Sequence, residues 1–416
     1  MIFFARLSNS FATKAILIII SISISYLLGG ENRNLLLIGM MSLSPFTIIR
    51  YPYIYKIDII LILLLTTMII SSAVFNPISL RWSTILYSIM FCLTFMGYVR
   101  VLSESSLEIL DYLKIIKCLI YAYCIVLIIQ QCCVLFHLPI LNVSNYNIFN
   151  PWKLNTLSPE PSHSAVYLGI LMYCYLTIKE YILKRKYNLQ YDFRNDGWIW
   201  GCFLWSMITM ISGTAMLYLS IICLKLCNKK YIAIILLSAF ITSPLLLNSN
   251  FKPLKRTAST IKSTLTLNEK EIIKADLSAA FRIVPSVIAI KNADITNAKT
   301  WTGKGIDYMK NDLINQMPAV NKNTKSISTA FTLGVDYGIL FFLIWSIFTF
   351  LVCTERTAPI SYILWFFSVM LNGINVQLVW FAIIFLYTNK YFTANDYKNY
   401  ACFRDTPGSY QDGTSC

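Results

Sequence analysis

Charge is what this chain has least of. Only 13% of its 416 residues are Asp, Glu, Lys or Arg, against about 25% in soluble domains. With 56% apolar residues and a mean hydropathy of +0.60, that scarcity excludes a water-soluble domain and points to an integral membrane protein. Histidine is almost missing: His137 and His163 are the two present. Cysteine is not scarce, at 12 residues, yet all 12 lie in or beside apolar runs, in positions assigned to the cytosol, or in the tail at Cys402 and Cys416. None falls in a stretch read as external, so no disulfide framework is expected, and the thiols read as small packing residues. The alternating ten-residue segments of an outer-membrane barrel are absent as well, because the apolar runs have helix length. Arg6 and Lys14 precede the first run, and no small-residue cleavage site comes after it. Ala15 to Leu28 is therefore expected to be a retained span.

What is present is a succession of such runs. A span needs roughly 20 apolar residues, and twelve candidates emerge at 12–28, 35–49, 57–75, 83–99, 115–136, 164–182, 198–211, 213–226, 231–247, 329–353, 358–373 and 375–390. The fold class is thus an all-α polytopic membrane protein with about 12 transmembrane helices. Residues 198–226 are too long for one comfortable span, and Ser212-Gly213 offers a turn, so two spans are predicted. Residues 1–247 form the first nine spans, with a smaller external loop at 137–163. A large external segment comes next at 248–326, then three spans at 327–392 and a cytosolic tail at 393–416.

The positive-inside rule fixes the expected orientation. With the N-terminus in the cytoplasm, the internal loops carry Arg50/Lys56, Arg100/Lys114, Lys184-Arg185-Lys186/Arg194, Lys229-Lys230 and Arg356. The short external loops keep Glu31/Arg33, Arg81 and Lys153/Glu160. The segment Asn248–Ser326 lies outside despite its lysines, since long segments translocate largely regardless of charge. It holds 13 Lys/Arg against 6 Asp/Glu, and no cysteine or histidine. An anionic partner fits that balance, whereas thiol and imidazole chemistry do not.

Two places carry candidate chemistry. In Leu157-Ser158-Pro159-Glu160-Pro161-Ser162-His163-Ser164-Ala165, the prolines forbid helix before Glu160, and Ser162 is the expected N-cap of the next span. Glu160 and His163 then stand at a helix mouth, where a carboxylate beside an imidazole can act as general base; a capped helix start with solvated side chains is the plainer alternative. His137, beside Pro139, reads as structural. In the long segment, Glu269 to Lys291 reads as an amphipathic helix with Ile273, Leu277, Phe281, Val284 and Ile288 on one face. Ser278, Arg282 and Ser286 form a neighbouring polar ridge, and Pro285 is expected to bend or end the helix. Arg282 can grip phosphate bidentately. Trp301-Thr302-Gly303-Lys304-Gly305-Ile306-Asp307-Tyr308 places two glycines around a lysine, allowing close approach of a ligand, with a spacing unlike that of a nucleotide P-loop. Lys255-Arg256 adds a basic pair. Asp336, expected just inside the tenth span beside Tyr337, is a rare ionisable residue at a membrane boundary.

Four of these parts, in order, carry a family resemblance: Pro159 to Ala165 opening a span, Ser212-Gly213-Thr214-Ala215 opening a later one, Ser278-Ala279-Ala280-Phe281-Arg282 and then Gly303-Lys304-Gly305, and Tyr337-Gly338 at the start of the next span. Together with about twelve spans, they make the chain similar to the O-antigen polymerases (Wzy-type) of the O-antigen ligase/polymerase superfamily. The resemblance implies a GT-C-like, inverting, metal-independent glycosyltransferase with no cofactor, in the bacterial inner membrane. Its expected partners are an undecaprenyl-pyrophosphate-linked oligosaccharide donor and acceptor, the bilayer and a chain-length regulator, with no nucleic acid. Arg282, Glu160 and His163 become the expected catalytic residues, and Lys255, Arg256, Gly303, Lys304, Gly305, Asp336 and Tyr337 the substrate-binding ones. The chain departs from many relatives in having Gly213, not arginine, after Ser212. The nearest rival is an O-antigen ligase, expected to use a histidine in the large external segment, where this chain has none. A flippase is the non-enzyme rival, and the scarcity of mid-membrane charge argues against it.

Overall fold

A computed structural model describes residues 2–23, 34–142, 146, 150–210, 212–226, 259, 262–263, 266, 268–275, 277–316 and 329–394. Within these, the side chains of residues 2–7, 277–279, 281–282 and 313–316 lie outside the description. The described residues form helices and no strand beyond one isolated bridge between Glu355 and Ala358. They are α1 (Ile2–Ser21), α2 (Leu35–Arg50), α3 (Lys56–Ile70, continued by a π turn at Ser71–Phe75), α4 (Trp82–Ser103), α5 (Ile109–Leu135), α6 (Pro161–Leu183), α7 (Leu189–Thr209) and α8 (Gly213–Leu226). Then come α9 (Glu269–Ala275), α10 (Leu277–Lys291), α11 (Ala298–Thr302), α12 (Tyr308–Gln316), α13 (Ala330–Tyr337), α14 (Ile339–Cys353), α15 (Ile360–Trp365, continued by a π turn at Phe366–Met370) and α16 (Gln377–Thr393).

Four helices have the length and composition to cross a membrane: Lys56–Phe75, Trp82–Ser103, Ile109–Leu135 and Pro161–Leu183, with mean hydropathies of 2.4, 1.8, 2.2 and 1.3. The protein is therefore a helical membrane protein. Several other expected spans are shorter helices. α8 and α14 have 14 and 15 residues, or about 21 to 23 Å, which falls short of a roughly 30 Å hydrocarbon core. Residues 329–353 are two helices, not one span, because the chain breaks at Gly338, and 358–373 is a six-residue helix plus a π turn. The expected break after residue 211 is present, with α7 ending at Thr209 and α8 starting at Gly213. The candidate span 231–247 lies outside the described residues.

α6 and α16 are the centre of the bundle. Every residue from Leu378 to Asn389 is buried, and α16 packs along α6 through Tyr167 and Phe381, whose ring centroids are 4.3 Å apart. Trp380 stacks on Phe91 of α4 and meets Trp345 of α14 edge-on. Ring planes filling a lipid-excluding interior contribute both burial and quadrupole geometry.

Contacts sort into two ends. At one end Ser23 N donates to the Leu157 carbonyl, Asn34 Nδ2 to Gln377 Oε1 and Ser88 Oγ to Asn375 Oδ1. At the other, Asn9 reaches Tyr51 and Glu104, Lys179 pairs with Asp196, and Lys225 pairs with Glu180. At this second end Arg100, 3% exposed, makes a bidentate pair with Asp58, also 3% exposed, at 2.7 and 3.1 Å. Its remaining donors go to the carbonyls of Tyr51, Tyr53 and Met96. The guanidinium thus ties the α2–α3 connection to α4, and every hydrogen bond it makes is to an ordered acceptor.

Candidate functional site

The segment before α6 is a closed polar web. Gln130 on α5 accepts from the Thr156 amide at 2.9 Å and donates to Asn155 at 3.3 Å. Ser164 Oγ donates to the Asn155 carbonyl at 2.7 Å and lies 2.6 and 2.7 Å from the hydroxyls of Thr156 and Ser158. Asn142 donates to the carbonyls of Thr156 and Ser158, both at 2.8 Å. This web is a rigid mount for the helix mouth. The N-cap is Glu160, not Ser162, and Pro161 occupies the first helical position, where its missing N–H costs nothing. Ser162 instead donates to Glu160 Oε2 at 3.1 Å. Glu160 and His163 are both partly exposed there.

The glycine motif is held on two sides. On one, Ser71 Oγ donates to the Thr302 carbonyl at 2.6 Å, Asn76 Nδ2 to the Gly303 carbonyl at 3.2 Å, and Arg81 pairs with Asp307. On the other, the amides of Lys304 and Gly305 donate to the carbonyls of Val335 and Asp336 at 2.9 and 3.0 Å. Gly303 (φ 86, ψ 162) and Gly338 (φ 99, ψ 159) face each other in a backbone region open only to glycine. A Cβ on Gly303 would overlap the Asp336 carbonyl and stand 2.7 Å from Tyr337 C. Close approach was expected of a ligand; here the glycines first serve backbone-to-backbone packing.

α10 runs through Pro285 to Lys291, so the proline neither ends it nor stops the buried face of Ala280, Val284, Val287 and Ile288. Ser286, of the expected polar ridge, is buried and donates to the Thr329 hydroxyl at 3.1 Å. Val284 and Ile288 belong to the expected apolar stripe and are buried; Ile273 is packed against the same cluster. α10 lies on α13 and α12, through Val335 and Met309.

Between these elements is a cavity of about 360 Å³. Its apolar wall comes from Phe331 and Val335 of α13 and from Ile339 and Phe342 of α14. Asn292, Lys299, Lys304 and Asp312 supply its polar side. Among the described residues, neither Lys299 nor Lys304 pairs with a carboxylate, and Lys304 Nζ lies 5.0 Å over the Tyr308 ring. A phosphate or carboxylate head with an apolar tail matches such a lining.

Of the expected site residues, Gly303, Lys304, Gly305, Asp336 and Tyr337 come together here, and Lys304 alone lines the cavity. Arg282 is on α10, seven residues or about 10 Å along the axis before Ala289 of the cavity wall; its side chain is outside the described set. Lys255 and Arg256 also lie outside the described residues. Glu160 and His163 belong to the separate web and do not line the cavity. Sequence reasoning missed Ser71, Asn76 and Lys299, and treated Arg81 as loop charge. Only the fold brings these four to the glycine motif and the cavity.

Asp336, on a helix beside the membrane-spanning part, accepts from the Met309 amide at 3.1 Å. Burial pushes its carboxyl up to about 8 from 3.8, Asp307's charge adds to this, and the amide bonds oppose it. Because the folded form keeps a proton that the unfolded chain has lost, stability should fall as pH rises from about 4 to about 8 and then level off. Asp336→Asn should flatten the melting temperature across that window relative to the parent. Parallel pH profiles for the two proteins would show that Asp336 does not titrate this way.

Compared with known proteins, the chain matches no family model, no curated protein and no solved structure.

Proposed function

We propose that this protein polymerises undecaprenyl-pyrophosphate-linked oligosaccharide repeat units at the outer face of a bacterial inner membrane. The observation that carries the reading is the cavity, whose lysine-bearing side comes from the polar segment and whose apolar wall comes from α13 and α14. A lipid carrier has that same division, a pyrophosphate head on an apolar chain. In the reaction, an acceptor sugar hydroxyl attacks the anomeric carbon of the donor glycan. The bond from that carbon to the pyrophosphate oxygen breaks, and the hydroxyl proton passes to a base. Lys299, Lys304 and Arg282 are suited to the negative charge that develops on the leaving pyrophosphate. The resemblance puts the base at Glu160, which stands on the polar web before α6, apart from the cavity, with His163 beside it on the first turn of the helix it opens. The bundle end holding the polar segment would face the periplasm, leaving both termini in the cytoplasm, and the helical architecture would be GT-C-like with about 12 spans.

Arg282→Ala and Lys304→Ala, tested in cells and in proteoliposomes with lipid-linked repeat units, decide the matter. Arg282→Ala should abolish long polysaccharide while lipopolysaccharide capped by a single repeat persists. Lys304→Ala should slow elongation at least tenfold, the scale of a lost charge-assisted contact. A ladder of normal length from both variants would overturn the assignment. Loss of every capped core in the Arg282 variant would point to a ligase instead.

A further inference from the structure

The 71–81 connection between α3 and α4 has no part in the reaction just described, yet it makes three contacts with the turn carrying Lys304. Ser71 and Asn76 take the carbonyls of Thr302 and Gly303, and Arg81 pairs with Asp307. Asp307 is held at a φ of 61, a conformation that a non-glycine residue adopts at a cost. The ion pair is a poor source of global stability, since the Arg81 side chain is 58% exposed and that of Asp307 25%, and exposed pairs contribute little. The pair's use is therefore geometric: it tethers the Asp307 side chain to the 71–81 connection. Fixing Asp307 fixes the end of the 302–307 turn, and the amide ladder to Val335 and Asp336 fixes its middle. Lys304 is itself a rung of that ladder, three residues before Asp307, and its side chain lines the cavity.

We propose that Arg81 is a positioning residue which, through Asp307, sets Lys304 at the cavity rim for an anionic lipid head; this rests on the lipid-carrier reading of the cavity. Arg81 and Asp307 carry opposite charges, so exchanging them is the informative test. Full-length protein in nanodiscs would be prepared as the parent, Arg81→Glu, Asp307→Lys, the double exchange, and Arg81→Lys. Undecaprenyl pyrophosphate is the probe. Each single exchange should weaken binding about tenfold, in the range of coupled neighbours. The double exchange and Arg81→Lys should return to within about threefold of the parent, with melting temperatures little changed throughout. Acetic anhydride labelling of Lys304, read by peptide mass spectrometry without lipid, is the second measurement. Its rate should change in each single exchange and recover in the double, while Lys299 stays constant as an internal reference. If the parent fails to bind the probe, the lipid reading falls and the labelling result still judges the positioning. Unchanged labelling in the single exchanges, or a double exchange as impaired as their sum, would overturn it.

Discussion

Arg100→Ala should lower the stability of the protein by about 3 to 5 kcal/mol, the cost of leaving a buried charge without its partner. Among the described residues, the Asp58 side chain would then keep the Tyr55 amide at 2.9 Å, and the carbonyls of Tyr51, Tyr53 and Met96 would lose their guanidinium donors. Exposed ion pairs such as Lys114 with Asp111 belong to a class worth 0 to about 1 kcal/mol, so the comparison is internal to the molecule. The pair need not itself be a large net stabiliser, because desolvation offsets much of its attraction. The double variant Arg100→Ala with Asp58→Ala should therefore be less damaged than the sum of its singles. Denaturation of each variant in detergent reads this directly. An Arg100→Ala protein within about 0.5 kcal/mol of the parent, the range of an ordinary surface substitution, would refute it.

Gly303→Ala should open the docking of the glycine motif. Two effects act together. The backbone conformation at Gly303 is open essentially only to glycine, with a cost of about 1 to 3 kcal/mol for other residues. The added Cβ also meets fixed backbone at Asp336 and Tyr337, and Ser71 Oγ at 2.8 Å, none of which can swing aside as a long side chain does. The expected result is trypsin cleavage after Lys304 at least tenfold faster than in the parent, a factor corresponding to about 1.4 kcal/mol of easier local opening. Gly39→Ala serves as the control, since nothing lies within 4 Å of its added Cβ. Equal cleavage rates in Gly303→Ala and the parent would mean that the turn tolerates the extra carbon, and that the packing described is looser than its distances imply.

The helical membrane class was legible because composition and run length depend on the solvent, and lipid leaves little choice of element. The break at Ser212-Gly213 was legible for a local reason, a turn-favouring dipeptide inside an overlong run. The candidate span 329–353 was read as continuous, with Tyr337-Gly338 near its start; the structure breaks it at Gly338, and α14 begins at Ile339. The separate helix α13 before it was not read. Residues 330–337 are apolar enough to look continuous with α14, and only the meeting of Gly338 with Trp301 and Gly303 explains the interruption. The N-cap at Glu160 was missed by two residues because Ser162 has the better capping chemistry; Pro161 at the first helical position overrode it. Pro285 was expected to bend or end the helix, and it does not end it, since α10 continues to Lys291. The cavity was beyond reach. Lys299 and Phe342 line it from positions far apart in the chain, and no local pattern links them. The glycines around Lys304 were noticed for the right property, close approach, and the structure adds a neighbour that the sequence did not name, the backbone of Asp336 and Tyr337.

The contact between Ser71 and Thr302 spans 231 residues, and that separation has a meaning in time. A ribosome adds roughly 5 to 20 residues per second, so about 12 to 45 seconds pass between making the α3–α4 connection and making the turn that it grips. During that interval Ser71, Asn76 and Arg81 lack the partners that they have in the turn, although Asn76 can already donate to the Ser71 carbonyl. Val335 and Asp336, the turn's other anchors, emerge later still. The cavity's lining runs on to Phe342, so the cavity cannot be complete before α14 is made, and any site built there is silent until then.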